Sequence, residues 1–466
     1  MKSLMKYMLL LAMTTMTTDI VAQDLKTGYL SDGFLYRHDI NPAIANEEGY
    51  FSIPFLGYIN ADMAGNFGYE DVIKKNPLYP NQSDKKMTSF MNPYLSQQLN
   101  GFASGDNIIN GRIKETIFSS GFKKWGGYNT LELNVKASAN ANIPFKLFLF
   151  AAEATNNIYN IGDINISAQS YAELSFGHSR KINDKLRVGG KAKLLVGLAD
   201  AQVKMKNVEA NLKDENKWII SADAQADVSM SGFKYLSKTK DYNIQDGTYQ
   251  HVNDVEASPK GPSGYGLALD AGVVYKLNDD ITLSGAIQDM GAIIWTNDHQ
   301  ATNDAKSFVF DGFHDVSVDS SSPDKLDNKA DKYTDQMLDF ANLRDKGDKG
   351  TRVTGVGATV TAAGEYVLPS YRALKLGLMG NLHINGPYTW TEGRVLANIS
   401  PVDWFDGSVS LGVNNFATCF GFLANFHTKK FNFFLGMDRI CTSGLSKEFI
   451  PLNSNGGISM GFNIKM

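Results

Sequence analysis

Cysteine is almost missing from this chain. Cys419 and Cys441 are its only two in 466 residues, too few for the disulfide framework of an exported protein. Long apolar runs are missing as well. No segment supplies the ~20 consecutive apolar residues of a membrane helix, which excludes a helical membrane protein. A membrane barrel passes that test, because the lumen-facing half of each strand stays polar and dilutes the hydropathy. Charge of one sign is lacking too: 45 Lys and Arg stand against 49 Asp and Glu, a net charge of −4. With no basic face in view, that balance argues against a nucleic-acid partner. The histidines (His38, His178, His251, His299, His314, His383 and His427) are scattered without metal-ligand spacing, and no Gly-x-Ser-x-Gly elbow is present. No catalytic residue, cofactor or metal is therefore expected, and the chain does not read as an enzyme.

What is present starts with an export signal over residues 1–23. Lys2 and Lys6 give the positive start, Met8 to Met13 the short apolar run, and Val21-Ala22-Gln23 a cleavage site before Asp24. No Cys follows, so a lipid-anchored mature terminus is not expected. Residues 24–127 are the irregular part and read as an N-terminal hatch or plug. They hold Asn41, Pro42 and Ala43, one candidate strand over Gly49 to Ile59 and a candidate helix over Ser89 to Asn100.

From residue 128 to 466 alternation is the rule. Ile458, Met460, Phe462, Ile464 and Met466 alternate with Ser459, Gly461, Asn463 and Lys465 in a strand that runs to the end of the chain. A period of two puts one set on each face of a strand. Nothing in the sequence covers the apolar face, but lipid would. Leu186 to Leu198 places Arg187, Lys191 and Lys193 opposite an apolar face, so their side must be wet. Tyr265 and Tyr275 lie on one apolar face at a separation close to the height of a lipid-facing band with aromatic girdles. Similar patterns recur at 172–176, 374–382, 395–399 and 405–413. The expected fold is an all-β, antiparallel transmembrane β-barrel of about 14 strands, or 16 if 49–59 and 145–152 both join the wall.

Short turns at 183–184, 278–279, 369–370, 400–403 and 429–430 fall at one end, and the connections 233–262, 297–350 and 442–455 at the other. This holds only if 199–217 conceals a hairpin, with 202–212 descending and 218–230 rising. Within 297–350, Leu326, Ala330, Tyr333, Met337 and Ala341 follow a helical period. The lumen-lining candidates are Glu173, Arg187, Lys191, Lys193, Asp270, Lys276, Lys375 and Arg394. Such charges either line a water path or pair with each other and with the hatch. In the last hairpin, paired positions summing to 859 leave Cys419 one residue off from Cys441 and on the opposite face.

Several strings are familiar. Tyr171-Ala172-Glu173-Leu174, Gly177, Ser179, Ile182 to Leu186, Val188-Gly189, Lys193-Leu194 and Gly197, with Asp289-Met290-Gly291, Ile294-Trp295 and Asn41-Pro42-Ala43, run through most of the mature chain. They resemble an uncharacterised family of Gram-negative outer-membrane β-barrels, related to the long-chain fatty-acid transporter-like group. The resemblance implies a hatch-plugged barrel that passes hydrophobic solutes. The cations on this wall depart from that pattern.

The function expected is a passive outer-membrane conduit for a small hydrophobic or amphiphilic solute, gated by the N-terminal hatch. The alternative is a structural or assembly barrel whose extracellular loops bind a secretion or surface partner. Outer-membrane lipid and the barrel-insertion machinery are expected partners under either reading.

Overall fold

Strict alternation over long stretches leaves each strand with an apolar and a polar face, and the two faces cannot both be satisfied in a flat sheet in water. Closing the sheet on its polar face resolves this. The computed structural model describes residues 24–79, 87–95, 98–214, 217–243, 247–312, 326–440 and 455–466. It is an antiparallel barrel closed by 14 strands, as the patterning predicts.

The wall begins with β1, formed by Tyr50–Ser52 and Ile59–Gly65. It continues through β2 (Asp106–Lys124), β3 (Gly127–Pro144), β4 (Ile158–Lys181) and β5 (Leu186–Asp214). Then come β6 (Gly264–Lys276), β7 (Ile281–Trp295), β8 (Ala358–Val367), β9 (Leu374–Ile384) and β10 (Trp390–Val402). The circuit ends with β11 (Phe405–Asn414), β12 (Thr418–His427), β13 (Phe431–Met437) and β14 (Gly456–Lys465). Each strand pairs with the next, and β14 closes the ring on both segments of β1. Leu194, Leu269, Leu378, Val409 and Phe420 form part of an exposed apolar belt around the outside. A belt of this extent is foreign to a monomer bathed in water.

Four sequence expectations need correction. The hairpin expected of 202–212 and 218–230 is present, but its sense is reversed: β5 runs on without a turn to Asp214, and Lys217–Met230 returns along its upper half to start a sheet above the barrel. That sheet continues through Asp298–Asn303, Ser307–Phe310 and Leu343–Asp348. Residues 145–152 form a helix, Phe145–Glu153, not a strand, which removes the 16-strand alternative. The described part of 89–100 holds turns instead of a helix. The segment 24–127 is not all hatch either, because β1 and β2 belong to the wall, and among its described residues those before Gly49 pack inside the barrel as a plug. In contrast, the amphipathic pattern in the long connection is a helix, Leu326–Ala341.

The short turns at 125–126, 182–185, 277–280, 368–373, 403–404 and 428–430 share one end with Gly49 and Met466, while the turn at 415–417 and the 385–389 connection lie at the other. The long connections share the other. The export signal and Cys441 lie outside the described residues.

Candidate functional site: the occupied lumen

The core of this barrel is inside the lumen, and the chain's own N-terminal segment supplies half of it. Residues 25–46 carry no alternation long enough for a wall strand. They fold as a short 3-10 turn, Lys26–Gly28, and one helical turn, Arg37–Ile40. Leu25, Phe34, Leu35 and Tyr36 pack on Tyr50, Tyr58, Leu423 and Phe434 of the wall. Tyr29, Leu30 and Ile40 pack on Met379 and Leu396.

Asn41, Pro42 and Ala43 are pressed against β5 and β6. The Asn41 Oδ1 accepts from the Ala43 N–H at 2.9 Å, and its Nδ2 donates to the carbonyl of Val273 at 3.2 Å. Ser179 Oγ donates to the Ala43 carbonyl at 2.7 Å. Two wall glycines make the approach possible. A Cβ on Gly189 would lie 2.1 Å from the Pro42 carbonyl oxygen, and one on Gly272 would lie 2.1 Å from Asn41 Oδ1.

Charge pairs complete the attachment. Asp39 accepts from Lys114 at 2.5 Å and from Lys191 at 2.6 Å, and Lys191 also reaches Glu132 at 2.7 Å. Burial alone would push the Asp39 carboxyl up, but the two ammoniums outweigh it and hold the group well below the usual carboxylate range. Farther toward the long loops, Lys26 donates to Glu392 at 2.7 Å, which also accepts from Arg394 at 2.6 Å. The Asp438 carboxylate accepts the backbone N–H groups of Lys26 and Thr27, both at 2.8 Å. A third cluster lies wholly within the wall. Lys193 meets Asp270 at 2.7 Å and Asp289 at 2.6 Å, and Lys136 meets Glu173 at 2.8 Å.

Among the lumen-lining candidates, Glu173, Lys191, Lys193, Asp270 and Arg394 are buried in these clusters. Lys375 binds Asp32 of the plug at 2.7 Å near the short-turn end, and Arg187 donates to Ser179 Oγ at 3.1 Å. Lys276 is the exception. Its alternation is right, but the strand has left the barrel there, and the side chain is exposed and paired with Asp279 across the turn at 3.0 Å. The alternation rule could also have found Lys114, Glu132 and Glu392, which occupy inward positions. Asp289 is hidden by a bulge: with φ at 54° it adds a residue to β7 and turns inward beside Gln288.

Two cavities flank the plug. One, of about 90 Å³, lies on the long-loop side, bordered by Lys26 and Ile40 of the plug and Arg112, Lys136 and Asp289 of the wall. The other, of about 200 Å³, lies on the short-turn side between Tyr29 and Ile44 of the plug and Arg187 and Glu365 of the wall. Among the described residues one trio, His38, Asp39 and Glu132, brings possible metal ligands within 4.8 Å of each other. The Lys191 ammonium bonded to both carboxylates already occupies that place.

The sequence model of a family of unknown function, DUF5723, matches residues 42–438. The chain belongs to this family. No curated protein matches it. Among solved structures, this DUF5723 chain is similar to the Pseudomonas putida toluene transporter TodX at 8% identity, covering 96% of this chain and 99% of that one, with a TM-score of 0.43. It is also similar to a Pseudomonas aeruginosa FadL homologue (9% identity, 96% and 98% covered, TM-score 0.38) and to the Ralstonia pickettii toluene transporter TbuX (8% identity, 91% of each, TM-score 0.37). The DUF5723 match starts at Pro42, so the Asn41-Pro42-Ala43 contact with the wall stands at its edge.

Proposed function

We propose that this DUF5723 protein is an outer-membrane conduit for a small solute and that residues 24–46 are its hatch. The observation that carries the reading is the pair of cavities, one on each side of the plug, with the Tyr29, Leu30 and Ile40 packing and the hydrogen bonds of Tyr29 and Asn41 to the wall between them. A barrel that served as a mere anchor would gain most by filling both spaces. The outer apolar belt supports placement in lipid, and the short turns then face the periplasm. The plug is held by hydrogen bonds and ion pairs, which solvent can replace, as well as by apolar contacts that it cannot.

Proteoliposome swelling tests this. Wild type should admit small solutes slowly. Gly189→Val, which drives a side chain into Pro42, should raise the rate at least tenfold. If hydrogen exchange shows residues 25–46 released in the variant and swelling stays flat, the conduit reading falls.

A second reading is favoured by one specific feature, the sheet that β5 and Lys217–Met230 build above the barrel, with the Phe233–Asp241 and Thr248–Ala257 hairpin packed on it. An assembly barrel would offer this platform to a surface partner. Deleting 233–257 should then abolish a cellular phenotype while leaving swelling unchanged.

A further inference from the structure

The long-loop cavity has four cations at its border, and three of them are spoken for. Lys26 is bonded to Glu392 at 2.7 Å, Lys114 to Asp39 at 2.5 Å and Lys136 to Glu173 at 2.8 Å. The fourth is Arg112. Its register partner on β1 is Asp62, whose carboxylate is turned to Arg439 instead. Its partner on β3 is Ser138. Among the described residues no carboxylate lies within ion-pair distance of Arg112 and no acceptor takes a hydrogen bond from it.

A guanidinium offers five donors in a fixed fork, and withdrawing it from bulk water without a partner is costly. Every other cation that borders the cavity has been given an acid. We propose that Arg112 is a binding site for the carboxylate of a small, polar monocarboxylic acid entering from the long-loop side. The inference rests on the conduit reading in that it names the class of solute carried.

Size and charge narrow the class. A space of about 90 Å³ takes a carboxylate with a two- or three-carbon body, and the apolar space of about 170 Å³ that Arg112, Ile113, Ala137 and Ser138 also line is the one that a decanoate probe interrogates. The carboxylate matches the guanidinium fork in a bidentate pair. A phosphate brings about −1.5 to −2 charges at neutral pH, and here it would find one free cation with Asp24 and Asp289 bordering the same space. A monoanion is the better match.

The test is equilibrium binding to the detergent-solubilised full-length protein, by isothermal titration calorimetry at constant ionic strength. The probes are L-lactate, its neutral isostere lactamide, inorganic phosphate and decanoate. Wild type should bind lactate saturably and lactamide at least tenfold more weakly. Arg112→Gln should weaken lactate tenfold or more, and Arg112→Lys, which keeps the charge but loses the fork, should fall between. Absence of saturable lactate binding overturns the proposal, as does equal affinity for lactamide, unchanged affinity in Arg112→Gln, or phosphate or decanoate binding as tightly as lactate. The lactate–lactamide comparison uses wild type alone, so a variant that fails to fold does not remove the test. Binding is read on the closed protein without flux, so the site can fail while the conduit stands, and the reverse.

Discussion

Lys191 on β5 donates to the Asp39 carboxylate of the plug at 2.6 Å, across the barrel interior and 152 positions away in sequence. Both side chains are buried, and Lys114 holds the same carboxylate from the other side. Removing one member of such a buried pair costs about 3–5 kcal/mol, because the partner's charge is left without compensation. In Asp39→Asn that loss is divided, since Lys114 keeps Asp24 and Lys191 keeps Glu132. The variant should retain the closed barrel, seen as heat-modifiable gel mobility. Hydrogen exchange over residues 25–46 should rise at least tenfold relative to wild type.

The pH dependence of the same attachment follows in sign. Asp39 is depressed in the folded protein, so its contribution is complete above the ordinary aspartate pKa of about 4 and is lost as the pH falls through its lower folded value. Exchange over 25–46, corrected for the intrinsic rate, should stay level from pH 8 to 5 and climb only below about 4. A rise between pH 7 and 6 would assign the latch to a histidine instead.

Neighbouring residues on β5 should respond in different ways. Leu194 faces outward and is 55% exposed, so Leu194→Arg puts a cation on the lipid side at a cost of about 2–4 kcal/mol. Little folded protein should reach the outer membrane. For Lys193→Ser the sequence alone predicts near silence, since the position is on the wet face. The structure reverses that expectation, because Asp270 and Asp289 both depend on Lys193. A barrel that assembles but melts at a lower temperature is expected, with part of the loss recovered by adding Asp270→Asn.

The wall glycines give a steric counterpart. Gly272→Ala places a methyl group 2.1 Å from Asn41 Oδ1 and 2.9 Å from Pro42 Cδ. The plug must shift, while the β5–β6 pairing is untouched. Exchange should therefore increase at Ala43 and Ile44 and remain unchanged at Leu267 and Leu269, in the same strand.

How much of this was legible in the sequence follows from which rule each element obeys. The period of two is local, and it placed β6, β9, β11 and β14, with their faces, correctly. The pairing sum of 859 in the last hairpin is the observed one, with Phe422 opposite Met437. Elements set by distant partners were not legible. Nothing within 199–217 says that Leu186–Asp214 stays straight, because that depends on β4 running beside it to Ile158. The candidate strand over 49–59 caught the first segment of β1, Tyr50–Ser52, but not the break before Ile59, where Phe462 donates to the Leu56 carbonyl at 2.8 Å. In the lumen, the rule found which side chains point inward but not which partners they take. Arg112 and Lys114 are two residues apart on one face of β2, and only the fold distinguishes the paired cation from the free one.

The seam between β1 and β14 joins the first wall strand to the last ten residues or so of the chain. The plug precedes β1 directly, and it touches both edges of that seam: Leu25 donates its N–H to Tyr58 Oη at 2.8 Å, and Tyr36 donates its hydroxyl to Asn463 at 2.8 Å. Residues 25–46 thus brace the one joint of the ring whose two strands stand at opposite ends of the wall's order. Without them Tyr58 and Asn463, on the two edges of that joint, would lose the groups that now tie both to one segment.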